Sequence, residues 1–339
     1  MMCSSVSDSK NKELYREISN IYNEIKTPYK YGIVIEFDDY MADSPTVFKY
    51  NNKWYMFYVR ILYNTSVSGY ETHFSSSDDL VHWKYEGIIL PKTDGEHWDS
   101  KQTGGYAAFL DIEWGGENSI QKVNDKYYMA YIGGWKNGYE TAPLSMGLAY
   151  SDNPIAGYKK FEDPVLSPCD EDAREFERKT IYKANMFVDE AQTLGYRYVN
   201  FYNSQDEVNK ERIYCAVSND GEKWIRFGKE PVIDEINEIQ GLKISGDPQI
   251  VKIDDIYVMF FFRVCEGCGA YNTFAISKDL INWKKWEGDP LIKGEQKWEN
   301  RHAHKSFVLK HEEVVYHFYC AVNDEGKRCI ALATSEKIF

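Results

Sequence analysis

The stretch Gly246–Phe262, GDPQIVKIDDIYVMFFF, decides the fold. It opens on a small residue, an acid and a proline, runs through an apolar segment, turns on Asp254-Asp255 and returns as an aromatic-rich run. Two β-rich runs joined by a short polar turn read as a hairpin. The pattern recurs as DSPTVFKYNNKWYMFYV from Asp43, ENSIQKVNDKYYMAYIG from Glu117, ANMFVDEAQTLGYRYVNFY from Ala184 and AHKSFVLKHEEVVYHFYCA from Ala303. Recurrence at intervals of about 60–75 residues is the signature of a repeat architecture.

A third strand follows each hairpin: YETHFSSSDDLVHW, LSMGLAYSDNPIAGY, ERIYCAVSNDGEKW, YNTFAISKDLINW and the terminal CIALATSEKIF. Ser77-Asp78, Ser151-Asp152, Ser218-Asn219 and Ser277-Lys278 mark a shared turn, and Trp83, Tyr158, Trp224 and Trp283 follow it. These recurrent rings are expected to pack one unit on the next. A short fourth strand closes four units: GIILP from Gly87, DPVLSP from Asp163, EPVID from Glu230 and DPLIKG from Asp289. Four strands in each of five units predict an all-β fold, a five-bladed β-propeller. The last unit lacks a fourth strand, and YGIVIEF from Tyr31 is expected to supply it, removing two open edges. Leu14, Ile18, Ile21, Tyr22 and Ile25 recur at helical spacing, so residues 8–26 read as a short N-terminal helix packed across a propeller face. The expected organisation is a helical extension over residues 1–30 and one propeller over residues 31–339.

Composition narrows the function. Among 339 residues, 40 Lys and Arg against 53 Asp and Glu leave a net charge of −13, which argues against nucleic acid or an anionic membrane as the main partner. No apolar run of about 18 residues is present to span a bilayer. The start carries no basic segment followed by an apolar one, and the seven cysteines are odd in number and scattered. Both features fit a reducing, cytoplasmic setting. Cys265 and Cys268 form a lone CxxC without a second pair at ligand spacing, so they read as ordinary loop thiols. No cofactor is expected, and no ligand spacing demands a metal, though metal ligation by the channel acids stays open. The oligomeric state is left open.

In a propeller the first strand of each blade lines the central channel, so residues at the strand entries converge. Those entries carry Asp43, Glu117, Asn185, Asp247 and His304. A wet ring of acids separates its members' pKa values by mutual repulsion and suits acid–base chemistry.

DSPTVF…KWYMFY, SGDPQIVKIDDIYVMFF and the SxDxxxW turns resemble the five-bladed β-propeller glycoside hydrolases of families 43, 32, 62, 117 and 130, over about residues 31–339. The family 43 resemblance implies that Asp43 is the base that activates water. It places Asp247 at a catalytic-channel position where family 43 has a Glu acid, and Asn185 where family 43 has an Asp. The family 117 resemblance, nearer in site pattern, implies a His acid beside two Asp, matched by Asp43, Asp247 and His304. The family 130 resemblance implies basic side chains on phosphate, and Arg301, His302, His304 and Lys305 cluster at the start of the fifth unit.

The expected reaction is hydrolysis of a terminal sugar from an oligosaccharide or glycoside, with inversion. Asp43 takes the proton of water, His304 or Glu117 protonates the leaving oxygen, and Asp247 holds the acid or substrate hydroxyls. Inversion needs the two groups roughly 6.5–9.5 Å apart. A histidine beside carboxylates is expected to rise from its ordinary value near about 6.5 and stay protonated. The connector from His97 to Gly116 mixes Trp98, Lys101, Gln102, Tyr106 and Trp114, a combination suited to apolar ring faces and hydroxyls of sugars. The repeated Gly-Tyr-Glu-Thr places Glu71 and Glu140 at one blade position, both expected at the channel mouth. Asn185, Arg301 and Lys305 complete the expected substrate contacts. The alternatives are a glycoside phosphorylase, or a non-enzymatic carbohydrate-binding or scaffold propeller.

Overall fold

The computed structural model describes residues 16–338. Residues 16–25 form a helix; the expected start of that helix, residues 8–15, lies outside the described residues. Ile18, Ile21 and Ile25 bury one face of it against Val258, Phe260, Phe274 and Val315, and Tyr22 stacks on Trp286 at 4.7 Å. The apolar stripe read from the sequence is therefore the packed face.

Apart from this helix and one 3-10 turn, the regular structure among the described residues is β. Strand β1 (Tyr29–Ile35) follows the helix. Then come β2 (Tyr40–Tyr50), β3 (Lys53–Leu62), β4 (Glu71–Ser77) and β5 (Lys84–Leu90), paired in order. The second group is β6 (Gln102–Ala107), β7 (Tyr127–Gly134), β8 (Ser145–Ser151) and β9 (Lys159–Lys160). The third is β10 (Thr180–Val188), β11 (Tyr198–Gln205), β12 (Glu211–Ser218) and β13 (Ile225–Phe227). The fourth is β14 (Leu242–Ile253), β15 (Ile256–Cys265), β16 (Gly269–Ser277) and β17 (Lys284–Lys285). The fifth is β18 (His302–His311), β19 (Val314–Val322) and β20 (Arg328–Thr334), completed by β1 through pairs from Tyr29↔Thr334 to Ile35↔Ile330. Single parallel contacts, Glu211↔Ile244 and Ala270↔His302, join the last three groups into one hydrogen-bonded sheet. The first strands touch in cyclic order, β2 to β6, β10, β14, β18 and back to β2.

Local chemistry accounts for these elements. Asn51-Asn52, Asn124-Asp125 and Glu312-Glu313 take positive φ at both central positions, the backbone that matches the twist of a tight hairpin. In the SxDxxxW turns, Asp79 Oδ1 accepts the N–H groups of Val81 and His82, and Trp83 Nε1 donates to the Leu80 carbonyl. Asp279 and Trp283 repeat this arrangement. The tryptophans pack one group on another: Trp83 meets Phe318 edge-on at 5.8 Å, Trp283 meets Phe201 at 5.6 Å, and Trp224 lies parallel to Phe109.

The second group differs from expectation. Its first strand is Gln102–Ala107, not the run that begins at Glu117. The glycines that hide this strand are required by packing. A Cβ on Gly104 would come within 2.9 Å of Val59 Cγ1, and one on Gly105 within 2.6 Å of Met129 Sδ. The segment after β6 instead crosses the far ends of the inner strands. Phe109 N–H donates to Met186 O, Trp114 N–H to Lys252 O, and Lys49 N–H to Asn118 O. It covers the end of the axis opposite Asp43.

A buried ionic pair locks β1 into the last group. Lys30 of β1 pairs with the fully buried Glu299, which also accepts the Tyr319 hydroxyl. Lys30→Ala leaves that carboxylate without its cation, and a loss of about 3–5 kcal/mol in unfolding free energy is expected in a urea titration.

Candidate active site

The inner strands share one irregularity. Between Asp43↔Val59 and Thr46↔Phe57, the two residues Ser44 and Pro45 oppose Tyr58 alone. Asp247 and Pro248 do the same in β14, Lys305 and Ser306 in β18, and Tyr182 and Lys183 in β10. A β-bulge breaks the alternation of side chains and re-aims them. Ser44, Asp247 and Lys305 hold φ of 51°, 53° and 52° there. The bulges send polar side chains from several groups toward one cavity.

That cavity measures about 220 Å³, and its walls include Tyr139, Glu140, Tyr182, Asn203, Glu211, Asp247, Phe262, His302, His304, Lys305 and Arg328. It is smaller than the ~300–1,000 Å³ pockets that bury drug-sized ligands, and its size suits a single sugar ring.

Asp43 lies behind the wall with no exposed surface. Its Oδ2 accepts the Tyr139 hydroxyl, Arg328 Nη1 at 3.1 Å and Lys305 Nζ at 3.3 Å, and its Oδ1 accepts the Ser44 N–H at 2.8 Å. Burial opposes its charge, but Lys305 and then Arg328 outweigh burial and hold the carboxyl far below the ordinary carboxylate range. Lys305 also donates to Glu140 Oε1, and the Arg328 guanidinium lies over the Tyr139 ring at 4.6 Å.

The loop between β7 and β8 delivers Tyr139 and Glu140. Gln102 anchors it from below, donating to Lys136 O at 3.0 Å and Thr141 O at 3.2 Å. Glu140 itself sits at φ 51°, a strained setting for a residue with a Cβ, and such outliers cluster at ligand sites.

Glu211 opens β12 and is buried in the cavity wall. Burial, then the charges of Glu140 and Asp247, push its carboxyl up to about 8. Asn203 Nδ2 donates to its Oε2 at 2.9 Å and Gln205 Nε2 to its Oε1 at 3.0 Å. Asp247 is pushed up to about 6, chiefly by burial, against the pull of Lys305 and Lys183. Burial is the largest cause of both shifts, and the greater rise falls on Glu211.

The residues expected from the sequence separate accordingly. Asp247, His304, Glu140 and Lys305 line the cavity, and Asp43 backs it. Glu117 does not belong to it: the residue is exposed on the segment that crosses the opposite end, its N–H bound to Asp111 Oδ2. His304 is buried between the Cys320 carbonyl and Arg328, and burial followed by Arg328 pulls it well below its ordinary value, against the expected rise. Asn185 lies deeper than the bulge, where its Oδ1 accepts the Ile250 N–H. Trp98 stacks on Tyr131, and Trp114 binds Glu24 of the helix at the far end. Tyr106 is buried with Lys183 over its ring. Glu71 accepts the Lys92 N–H outside the cavity, and Lys101 and Arg301 are exposed. Glu211, Arg328, Tyr182 and Asn203 escaped the sequence reading. Glu211 and Arg328 share a signal: each is a charge opening an otherwise buried third strand.

The model of the glycosyl hydrolases family 43 matches residues 39–331. The protein belongs to family 43. A structure described as a complex of BT0996 with RGII is 40% identical to this family 43 protein, covers 95% of it and 96% of its own length, and superposes with a TM-score of 0.90. A family 117 glycoside hydrolase from Zobellia galactanivorans, 13% identical over 92% of this sequence and 91% of its own, shares the fold at a TM-score of 0.68. The levanbiose-producing levanase of Geobacillus stearothermophilus is 27% identical over 52% of this sequence and 46% of the levanase. The family 43 protein thus spans less than half the length of that curated relative.

Asp43→Asn removes the charge that offsets Lys305 and Arg328 together. A stability loss of about 3–5 kcal/mol is expected by chemical denaturation. Because the Asp43 pKa is depressed, its wild-type contribution persists at neutral pH and disappears only at strongly acidic pH.

Proposed function

We propose that the protein is a glycosidase that releases a terminal sugar, built as a single five-bladed propeller over residues 31–339 with a helical extension over residues 1–30. The cyclic contacts of the inner strands and the completion of the last group by β1 support the propeller reading. One observation carries the chemistry: Glu211, a buried carboxyl that keeps its proton near neutral pH, shares a sugar-sized cavity with Glu140, a carboxylate paired to Lys305. Glu211 is the general acid and passes its proton to the leaving glycosidic oxygen. Glu140 is the second carboxylate of the pair, acting on water or on the anomeric carbon. Asp247 binds sugar hydroxyls. Asp43 acts at one remove, keeping Lys305 and Arg328 charged and in place. This assignment replaces His304 as acid, because a buried imidazole held neutral has lost the acidic imidazolium proton and keeps only a very weakly acidic N–H.

The relative solved as a complex with RGII makes an RGII oligosaccharide the first substrate to test. Phosphorolysis is the second reading, because a 1,2-β-oligomannan phosphorylase of a Thermoanaerobacter species is 35% identical over 22% of this sequence. The cavity disfavours it: Lys305 and Arg328 are already committed to Asp43. Sugar release that proceeds without inorganic phosphate is the expected result; a strict phosphate requirement would overturn hydrolysis.

Glu211→Gln and Glu140→Gln are each expected to lower kcat by about 10²–10⁴-fold in a reducing-sugar assay, and full turnover by either variant would remove that residue from the mechanism. Since the acid must be protonated, kcat/KM is expected to fall as pH rises through about 8. The same raised pKa makes the folded state bind a proton more tightly than the unfolded one. Stability therefore falls between the ordinary Glu value and about 8, and Glu211→Gln is expected to flatten that fall in a Tm-against-pH series.

A further inference from the structure

We propose that Asn203 is a positioning residue for Glu211: its side-chain amide aims the carboxyl into the cavity and is itself held by the bulge of the neighbouring inner strand. This deepens the assignment of Glu211 as the acid and rests on it.

Asn203 is the β11 residue that faces the two-residue bulge Tyr182-Lys183 of β10, between the pairs Ile181↔Ser204 and Ala184↔Tyr202. It is buried and bridges two groups of strands. Oδ1 accepts the N–H of Asp247 at 3.1 Å, and Nδ2 donates to Glu211 Oε2 at 2.9 Å. An amide with an N–H on one side and a carboxyl on the other has a single satisfied orientation. The neighbouring strand is shaped for it. A Cβ on Gly246 would come within 2.7 Å of Asn203 Nδ2 and 3.2 Å of Phe262 Cε1, so only glycine lets the amide lie there.

The other groups that act on Glu211 are Glu140 from the β7–β8 loop, Asp247 of β14, Lys305 of β18 and Tyr182 of β10. They act through charge, whereas Asn203 and Gln205 hold the carboxyl by hydrogen bonds. Gln205 is only half-buried, and Asn203 is the donor locked in the interior. A donor to a carboxylate favours its charged form, so Asn203 limits how tightly Glu211 keeps its proton as well as where the carboxyl points.

The test is a carboxyl ¹³C NMR titration of Glu211, its signal assigned with Glu211→Gln. In Asn203→Ala and in Gly246→Ala the midpoint is expected to move up by about one pH unit, the worth of one charge-assisted hydrogen bond. Asn203→Asp keeps the acceptor for the Asp247 N–H and replaces the donor, so it is expected to move the midpoint further up while preserving the fold, checked by circular dichroism. On an RGII oligosaccharide, Asn203→Ala is expected to lower kcat about tenfold or more with little change in KM. It is expected to have no further effect in the Glu211→Gln background. An unmoved midpoint in folded Asn203→Asp would overturn the positioning role. A midpoint that moves while Glu211→Gln keeps full turnover would leave the bridge intact and remove the acid assignment instead.

Discussion

A carboxylate without exposed surface holds the first and last groups of strands together from the inside. Asp43 belongs to β2, and its two cationic partners, Lys305 and Arg328, belong to β18 and β20. Its third partner, Tyr139, comes from the second group. Three buried charges are costly alone, and each is tolerable only because the others are present. The geometry is available only once β2 has come to lie against β18 and β20, so the charge cluster and the meeting of the first and last groups require one another. Within the last group, Lys30 and Glu299 form a second buried pair that holds β1 in place.

The cavity inherits its properties from that cluster. Lys305 is shared between Asp43 and Glu140, which ties the end of a loop to a fully buried point of the molecule. Glu211, two groups away from Asp43, is buried, and the charges of Glu140 and Asp247 raise it further against the weaker pull of Lys305. Glu140 is paired with a lysine, whereas Glu211 is held by the amides of Asn203 and Gln205 and its carboxyl is pushed up by burial. The two glutamates are the same residue type and differ in their surroundings.

Much of the fold was legible in sequence. The hairpins, the SxDxxxW turns and the borrowed strand at Tyr31 all rest on short-range chemistry, a turn or an alternation, which a sequence records directly. The strand Gln102–Ala107 was not legible, because Gly104 and Gly105 serve a close approach to Val59 and Met129 and carry no strand propensity. The resulting shift displaced Glu117 to the wrong end. Asp247 and Asp43 looked equivalent because both stand near a proline at a strand entry, yet the register sets Asp43 level with Gly246 and His304. His304 was read as an acid from its neighbours in the ring, but its burial and the nearness of Arg328 reverse the sign.

By itself the sequence determined the repeat, four of the five hairpins, the tryptophans between groups and the presence of acids near the strand entries. These follow from periodicity and from residues close together along the polypeptide. Which acid keeps a proton was decided only by the tertiary structure. That outcome depends on how far each carboxyl is from water and which charges lie beside it, and Glu140, Glu211 and Lys305 become neighbours only across three separate groups of strands.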